Sequence, residues 1–314
     1  MKIVVTGGAG FLGSHLCDKL IELSNQVVCI DNLITGSEEN ISHLKSNPNF
    51  QFINADASWG LPEGVKADQI YHLASPASPN KNNPKSYIAH PFETMKVNTM
   101  GTMKLCEQAV KSGAKFLFAS TSEIYGDPKE HPQKESYNGN VSTTGPRSVY
   151  DESKRFGETI VSAYVRSKDL DGRIIRIFNT YGPRMPDDGR VVIEFVKAAL
   201  ANKSFPVFGD GKQTRSFCYV SDLVDGIIAA MEKEDKGEVY NLGNPDEFTI
   251  LELAEKVKEL TNSTSNVEHK EDLPTDDPIR RCPDISKAKE KLNWEPKVSL
   301  DEGLKKLIEY LHDS

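Results

Sequence analysis

The chain lacks any apolar run that approaches the ~18 residues of a membrane-spanning helix. It also lacks an excess of basic residues: 38 Lys and Arg stand against 46 Asp and Glu, for a formal net charge of −8. Nucleic acids and anionic membranes select basic surfaces, so we expect neither to be the main partner. The first predicted strand follows Met1 almost at once, which leaves no room for a signal peptide. We therefore expect a cytoplasmic protein.

Paired cysteines are also missing. The chain has five cysteines, an odd number, and none forms a C-x-x-C pair. Three of them lie in apolar stretches, where cysteine usually acts as a small buried hydrophobe. This pattern indicates a reducing compartment and predicts no structural metal. The cysteines are Cys17, Cys29, Cys106, Cys218 and Cys282.

Strands and helices alternate through the first half of the chain. This alternation predicts the α/β class, with a doubly wound parallel sheet covered by helices on both faces. The predicted strands are Lys2–Thr6, Gln26–Ile30, Phe50–Ile53, Gln69–Leu73, Lys115–Ala119 and Arg173–Phe178. The predicted helices are Phe11–Leu23, Phe92–Lys111 and Tyr150–Lys168.

The second half is less regular and predicts a smaller, mixed α/β C-terminal subdomain that binds substrate at the carboxyl edge of the sheet. Short helices are expected at Ser221–Glu232, Ile250–Leu260 and Leu300–Leu311. The polar, proline-containing stretch Glu268–Pro283 is expected to be an extended loop. We assign residues 1–178 plus about 217–242 to a dinucleotide-binding domain, and about 179–216 plus 243–314 to the substrate-binding subdomain.

A glycine-rich turn connects the first predicted strand to the first predicted helix. Residues 2–13 read KIVVTGGAGFLG, with Gly7, Gly10 and Gly13 at a G-x-x-G-x-x-G spacing. Small residues at such a turn let the backbone approach a pyrophosphate, which then rests on the helix N-terminus. The segment predicts a Rossmann-type cofactor site, with Phe11 and Leu12 in the same turn.

Asp31 ends the second predicted strand. A carboxylate there can accept hydrogen bonds from an adenosine ribose and would repel a 2′-phosphate, which favours NAD over NADP. The alternative is an ordinary solvated aspartate at a strand end. Asp56, after the third strand, is a candidate for adenine contact, although a turn aspartate fits nearly as well. Further candidates for cofactor binding are Asn32, Thr35, Gly36, Ala57, Leu73 and Ala74.

Tyr150 and Lys154 are four residues apart on a predicted helix, so both lie on one face. Beside a dinucleotide site, this pair predicts hydride chemistry on an alcohol or a ketone, with Tyr150 as the base. A free tyrosine has a pKa of about 10, and a nearby ammonium and an oxidised nicotinamide would lower it. Lys154 can also hold the nicotinamide ribose. Taken alone, the pair occurs by chance on many surface helices.

Polar residues follow the strand that ends near Ala119. Thr121 and Ser122 can hydrogen-bond the substrate oxygen that Tyr150 deprotonates, and Glu123 can move a second proton. The alternative is a polar cluster that only caps the strand. Among the arginines of the second half, Arg215 and Arg281 lie in loops marked by Gly or Pro and suit contact with diphosphate or carboxylate.

Several segments resemble the extended short-chain dehydrogenase/reductase family, and within it the UDP-glucuronate decarboxylases, also called UDP-xylose synthases. They read HLASPASP at 72–79, GPRSVYDE at 145–152, RIFNTYGPRM at 176–185 and DDPIRRCPD at 276–284. The resemblance implies that Tyr150 is the base, that Lys154 assists it, and that Thr121, Ser122 and Glu123 line the sugar. It implies nucleotide-sugar contacts from Asn179, Gln213, Arg215 and Arg281, and we add Lys96, Arg190 and Val192 as substrate-binding candidates.

The resemblance also implies the reaction, which is NAD-dependent decarboxylation of UDP-glucuronate to UDP-xylose through a 4-keto intermediate. Alternatives are a nucleotide-sugar 4-epimerase, then a 4,6-dehydratase, and, in another class, a non-catalytic NAD-binding regulator. The chain departs from the family at 80–94, which is longer, and at Tyr137, where relatives tend to have tryptophan. Helices Phe92–Lys111 and Tyr150–Lys168 resemble the pair that forms the family's four-helix dimer interface.

Overall fold

The computed structural model describes residues 1–233, 235–270 and 280–312. Its main feature is a seven-stranded sheet with the order β11-β6-β5-β4-β1-β2-β3. The strands of the molecule are β1 (Lys2–Thr6), β2 (Gln26–Asp31), β3 (Phe50–Asn54), β4 (Gln69–His72), β5 (Lys115–Thr121), β6 (Gly172–Ile177), β7 (Thr180–Tyr181), β8 (Phe205–Phe208), β9 (Thr214–Ser216), β10 (Cys218–Tyr219), β11 (Val239–Leu242), β12 (Glu247–Thr249), β13 (Val267–Lys270) and β14 (Arg280–Arg281).

Helices cover both faces of this sheet. They are α1 (Phe11–Glu22), α2 (Pro91–Lys96), α3 (Thr102–Ser112), α4 (Ser148–Lys168), α5 (Val191–Leu200), α6 (Val220–Glu232), α7 (Ile250–Thr261), α8 (Ser286–Leu292) and α9 (Leu300–His312). Helices α1 and α6 pack together on one face, and α3 and α4 on the other. No helix within the described ranges is long and apolar enough to cross a membrane.

The apolar runs form central strands because both faces of the sheet are buried. Along β1, Ile3 and Val5 belong to the core under α1 and α6, whereas Val4 belongs to the core under α3 and α4. Every neighbouring pair in the seven-stranded sheet is parallel. The chain reverses its direction of winding between β1 and β4, and ligands of such sheets bind outside the carboxyl ends of the strands there. The predicted doubly wound parallel sheet is confirmed.

Smaller sheets from the second half lie beyond the carboxyl edge. Strand β9 pairs with β12 and β14, β8 pairs with β13, and β7 pairs with β10. Strand β11 returns to the main sheet, against β6. The domain boundaries given above remain a prediction.

The structure differs from the sequence prediction in three places. The stretch 268–283 is not an extended loop throughout, because β13 begins it and β14 lies near its end, while residues 271–279 fall outside the described residues. Helices α5 and α8 were not predicted. The predicted continuous helix Phe92–Lys111 contains a π-helical turn, Val97–Gly101, between α2 and α3.

This π-helical turn is held by a buried histidine. His72 Nε2 lies 3.2 Å from the Val97 carbonyl oxygen and therefore donates to it, which leaves Nδ1 to accept from the Thr6 hydroxyl at 2.8 Å. Burial and then the nearby Lys154 lower the pKa of His72 to about 3, so the ring is neutral. Inside the turn, Asn98 donates to the Ser153 hydroxyl on α4 at 3.0 Å. The turn thus fixes α4, and with it the predicted catalytic residues, against β4.

Candidate active site

A single large cleft runs along the carboxyl ends of the central strands, between the main sheet and the second half of the chain. Its volume is about 1490 Å³. A typical pocket for one small molecule holds about 300–1,000 Å³, so this cleft can accept a dinucleotide and a second large ligand side by side.

The glycine turn forms the floor of one end of the cleft. Gly7 has φ +77°, and a Cβ placed there would meet Ala74 Cα at 2.7 Å; a Cβ on Gly13 would meet the Gly7 carbonyl oxygen at 2.1 Å. The backbone of the turn therefore lies close to the residues that follow β4, and neither glycine position has space for a side chain. Gly10 precedes α1, and within the described chain no side chain caps that helix. The first-turn N–H groups, which have no partners within the helix, therefore face the cleft and fit a pyrophosphate.

Asp31 ends β2 as predicted and lies beside this turn, with 8% of its surface exposed in the cleft wall. Its Oδ2 accepts from the Ala9 N–H at 3.0 Å and its Oδ1 from the Leu33 N–H at 2.8 Å. Burial raises its pKa, and these two N–H groups partly offset the rise. Each oxygen keeps a further acceptor position, which fits two ribose hydroxyls.

We expect Asp31→Ala to narrow the preference of the enzyme for NAD over NADP, because the substitution removes the charge that repels a 2′-phosphate. Calorimetric titration of both cofactors measures the preference. The control is Asp18→Ala, which removes a carboxylate from α1 that pairs with Arg184 and His43 and does not line the cleft. Equal affinity of the wild type for the two cofactors would contradict the assignment.

The other predicted cofactor residues are brought together with one exception. The cleft lining includes Phe11, Leu12, Asn32, Thr35, Asp56, Ala57, Leu73 and Ala74. Gly36 lies outside it, in the described structure, because it packs against Ala9 and the Asp31 side chain. Asp56 also caps a short 3₁₀ turn by accepting from the Ser58 N–H at 2.9 Å, so the turn-aspartate alternative and the cleft position both apply.

Tyr150 and Lys154 lie on the buried face of α4, as their spacing predicts, with 7% and 3% of their surfaces exposed. Lys154 Nζ donates to the Ala119 carbonyl oxygen at 2.7 Å and lies 5.8 Å from the centroid of the Tyr150 ring. A backbone carbonyl of strand β5 thus fixes the lysine beside the phenol. Both residues line the cleft.

The expected lowering of the tyrosine pKa is not what the protein alone produces. Burial raises the pKa of Tyr150 above its usual value, and a hydrogen bond with Thr121 offsets only part of the rise. Burial also lowers the pKa of Lys154, to about 7. The physical reason is that desolvation disfavours both the phenolate and the ammonium. The lowering of the Tyr150 pKa beside an oxidised nicotinamide stays a prediction. Without a cationic ring nearby, Tyr150 is therefore neutral.

The protonation state of Glu123 differs from the one expected of a side chain that carries a proton. Arg147 and Arg281 both donate to its carboxylate, with Arg281 Nη2 at 3.1 Å. Burial raises the pKa of Glu123, but the two guanidinium groups outweigh it and hold the value at about 2. Glu123 is thus an ionised anchor for two arginines. Arg281 Nε is buried and finds no hydrogen-bond partner within the described residues, so a donor remains for a ligand oxygen.

Three residues around Tyr150 were not predicted from the sequence: Arg147, which lines the cleft, and Tyr87 and Asp151, which lie behind its lining. The Tyr87 ring stacks on the Tyr150 ring with centroids 4.8 Å apart and an angle of 8° between planes. Its buried hydroxyl has no partner among the described residues. Burial, and then Glu123, raise the pKa of Asp151 to about 8. A signal existed for each, since Tyr87 lies in the unusual segment 80–94 and the other two flank Tyr150.

The substrate candidates lie along the far wall of the cleft, again with one exception. The wall includes Thr121, Ser122, Asn179, Arg190, Val192, Gln213, Arg215 and Arg281. Lys96 does not belong to it in the described structure; it is exposed at the end of α2, where Thr94 is the buried residue of the helix. This position does not support direct substrate contact by Lys96, which stays a prediction.

The chain is similar to known proteins of one family over most of its length. Residues 3–243 match the NAD dependent epimerase/dehydratase family. UDP-glucuronic acid decarboxylase 1 from Arabidopsis thaliana is 55% identical over 309 residues, which cover 98% of this chain and 69% of that protein. UDP-glucuronic acid decarboxylase 1 from Danio rerio is 49% identical over 312 residues, which cover 98% of this chain and 72% of that protein.

Solved structures repeat the fold over the full length. The structure of UDP-glucuronic acid 4-epimerase from Bacillus cereus, in complex with UDP-glucuronic acid and NAD, has a TM-score of 0.87 and 32% identity. The match covers 100% of this chain and 99% of that chain.

Proposed function

The chain belongs to the NAD dependent epimerase/dehydratase family, and on that premise we propose that it decarboxylates UDP-glucuronate to UDP-xylose with no net redox change. One observation carries the proposal. The Tyr150–Lys154 pair faces an arginine-held carboxylate, Glu123, in a chain 55% identical to a UDP-glucuronic acid decarboxylase. The resemblance to 4-epimerases is weaker in sequence, at 32% identity for the Bacillus cereus structure.

NAD is the cofactor, and its chemistry when bound is to accept a hydride from C4 of the sugar and later return it. The residues that hold it are the Gly7–Gly13 turn for the pyrophosphate, Asp31 for the adenosine ribose, and Lys154 for the nicotinamide ribose. The orphan N–H groups at the start of α1 and the two open acceptor positions of Asp31 support this fit.

Tyr150 removes the proton of the C4 hydroxyl. Burial keeps its phenol protonated in the protein alone, so positive charge beside the ring is needed to favour the phenolate. Lys154 supplies part of that charge, and its pKa of about 7 means that it exchanges protons near neutral pH. Thr121, which interacts with the Tyr150 hydroxyl, orients the same substrate oxygen.

The second half of the reaction follows from the product of the first. A 4-keto uronic acid carries its carboxylate β to the ketone, so the C5–C6 bond breaks, carbon dioxide leaves, and the ketone accepts the electron pair as an enolate. The enolate then takes a proton at C5. Arg281 has a free buried Nε in the described structure, and it binds the substrate carboxylate while its other nitrogens keep Glu123 ionised.

The experiment that tests the function follows the products. UDP-glucuronate should give carbon dioxide and UDP-xylose in equal amounts, without steady accumulation of NADH absorbance. In heavy water, the xylose should carry one deuterium at C5. If the product keeps its carboxylate and is UDP-galacturonate, the epimerase alternative is correct.

We also propose that the protein is a homodimer through a four-helix bundle. Apolar side chains are exposed along the two helices expected at that interface: Phe92 at 66%, Met100 at 44%, Met103 at 40% and Phe156 at 51%. Burial of such side chains between two copies would stabilise a dimer.

We expect Phe156→Glu to convert the dimer into monomers, because a buried charge would replace an apolar contact. Sedimentation velocity measures the mass. The control is Leu23→Glu, at an apolar residue 53% exposed just after α1, away from α3 and α4. A wild type that sediments as a monomer at micromolar concentration would refute the dimer.

A further inference from the structure

Three potential metal ligands meet outside the cleft. His131 lies in the loop that follows the Glu123 turn, Glu247 opens β12, and Cys282 follows β14. One ligand atom from each lies within 4.8 Å of the other two. His131 Nε2 and Glu247 Oε2 are 2.8 Å apart. From this convergence, we propose that the three side chains form a binding site for a zinc-class transition metal ion.

The donor set fits such an ion. Imidazole, carboxylate and thiolate are the three ligand types that zinc takes in proteins, and the softer thiolate favours zinc over magnesium or calcium. Three protein ligands leave a fourth tetrahedral position for water. On binding, the Cys282 thiol loses its proton to solvent and the sulfur donates an electron pair to the ion.

The site is also accessible from solvent. The His131 and Glu247 side chains are each 25% exposed, whereas Cys282 is 5% exposed and forms the base of the site. The Cys282 thiol donates a hydrogen bond to the Pro245 carbonyl oxygen at 3.3 Å, and this bond is given up when the thiol loses its proton to bind the ion. An ion can therefore enter from solvent without opening the core.

The cysteine pattern predicted no structural metal, because the five cysteines include no C-x-x-C pair. Folding nevertheless brings the three ligands together, although His131 and Glu247 are 116 residues apart in the sequence. Backbone hydrogen bonds hold the approach: Gln133 N donates to the Cys282 carbonyl at 2.9 Å, and Asp284 N donates to the Gln133 carbonyl at 2.8 Å. The ligands are thus preorganised by the fold and not by a local motif.

The proposed metal site adjoins Arg281, a residue that lines the cleft. Cys282 directly follows Arg281, and Glu247 lies on β12, which pairs with β9, the strand that also pairs with β14. A bound ion would cross-link these segments and fix Arg281 in its contact with Glu123. We therefore assign the ion a regulatory role: it raises turnover by holding Arg281 against Glu123, the contact that positions this arginine. This last step rests on the proposed function, whereas the binding itself does not.

Cobalt(II) is the probe that tests the binding. Full-length protein treated with a chelator and then titrated with Co²⁺ should show a thiolate-to-cobalt charge-transfer band and the visible bands of tetrahedral cobalt, both abolished by Zn²⁺. Cys282→Ser should remove the charge-transfer band, and His131→Asn and Glu247→Gln should weaken Co²⁺ binding at least tenfold. Cys106→Ser, at another buried thiol, is the matched control and should keep the band.

The outcomes separate the two parts of the inference. Absence of the band in the wild type, or its persistence in Cys282→Ser, would overturn the metal site. Zn²⁺ should raise the turnover of the chelator-treated wild type several-fold and leave that of His131→Asn unchanged; an equal change in both proteins would overturn the regulatory role alone. Because the Co²⁺ titration uses no substrate, failure of the proposed decarboxylation leaves its result unaffected.

Discussion

Tyr150→Phe is expected to bind NAD and the nucleotide sugar almost normally and to lose turnover by about 10³-fold or more. The substitution removes only the phenolic oxygen, whereas general-base catalysis contributes about 10²–10⁴-fold. The stacking of Tyr87 on the ring needs no hydroxyl, so the local packing persists. Calorimetry measures binding, and carbon dioxide release measures turnover.

A matched control lies on the same helix. Tyr164→Phe also removes one hydroxyl from α4, but that hydroxyl contacts Glu107 at 3.3 Å on the surface, away from the cleft. The control should retain wild-type turnover. A Tyr150→Phe variant that keeps more than a tenth of the wild-type kcat would remove Tyr150 from the role of base.

Glu123→Gln is expected to lower both turnover and stability, without weakening NAD binding. The amide keeps the shape of the carboxylate but leaves Arg147 and Arg281 without their shared anion, and breaking a buried ion pair costs about 3–5 kcal/mol. Turnover should fall about 100-fold, because Arg281 loses the contact that positions it. Thermal unfolding, kcat and NAD affinity are the three measurements.

Asp171→Asn separates the two effects. Asp171 pairs with the buried Arg173 at 2.7 Å and does not line the cleft, so its replacement should lower stability and leave kcat within a few-fold of the wild type. Full activity in Glu123→Gln, together with a stability loss equal to that of Asp171→Asn, would make Glu123 purely structural.

The pH dependence of stability gives an independent check on Glu123. Its folded-state pKa of about 2 lies below the unfolded value of about 4.3. The folded protein therefore gains stability from this group above the unfolded pKa, and loses it as the pH falls through the folded pKa. The stability difference between wild type and Glu123→Gln should accordingly narrow between about pH 4 and pH 2.

The sequence predicted the elements whose pattern is local. Lys2–Thr6 and Gln26–Asp31 are central strands because their apolar runs match a sheet buried on both faces, and the Tyr150–Lys154 spacing alone predicts that both face the cleft. These features need no knowledge of the rest of the chain. They follow from the periodicity and the side-chain size of residues that are close together in the sequence.

Features that depend on distant residues were not predictable in the same way. The ionised state of Glu123 depends first on Arg147 and then on Arg281, which lies 158 residues later. Lys96 carries a charge suited to a phosphate, yet the orientation of α2 leaves it exposed. The π-helical turn at Val97–Gly101 supplies the carbonyl oxygen that accepts a hydrogen bond from His72. Local helix propensity does not predict this long-range hydrogen bond. Tertiary contacts decided each of these cases.

The separation of Glu123 and Arg281 along the chain also bears on how the molecule is made. On the ribosome, β1 to β6 emerge well before Arg281, and domains tend to form as their residues become available. A nascent chain can therefore assemble most of its nucleotide-binding sheet while the carboxylate of Glu123 still lacks this guanidinium. Catalytic competence then arrives late, with the last tenth of synthesis, so that a truncated product can capture cofactor and remain inert.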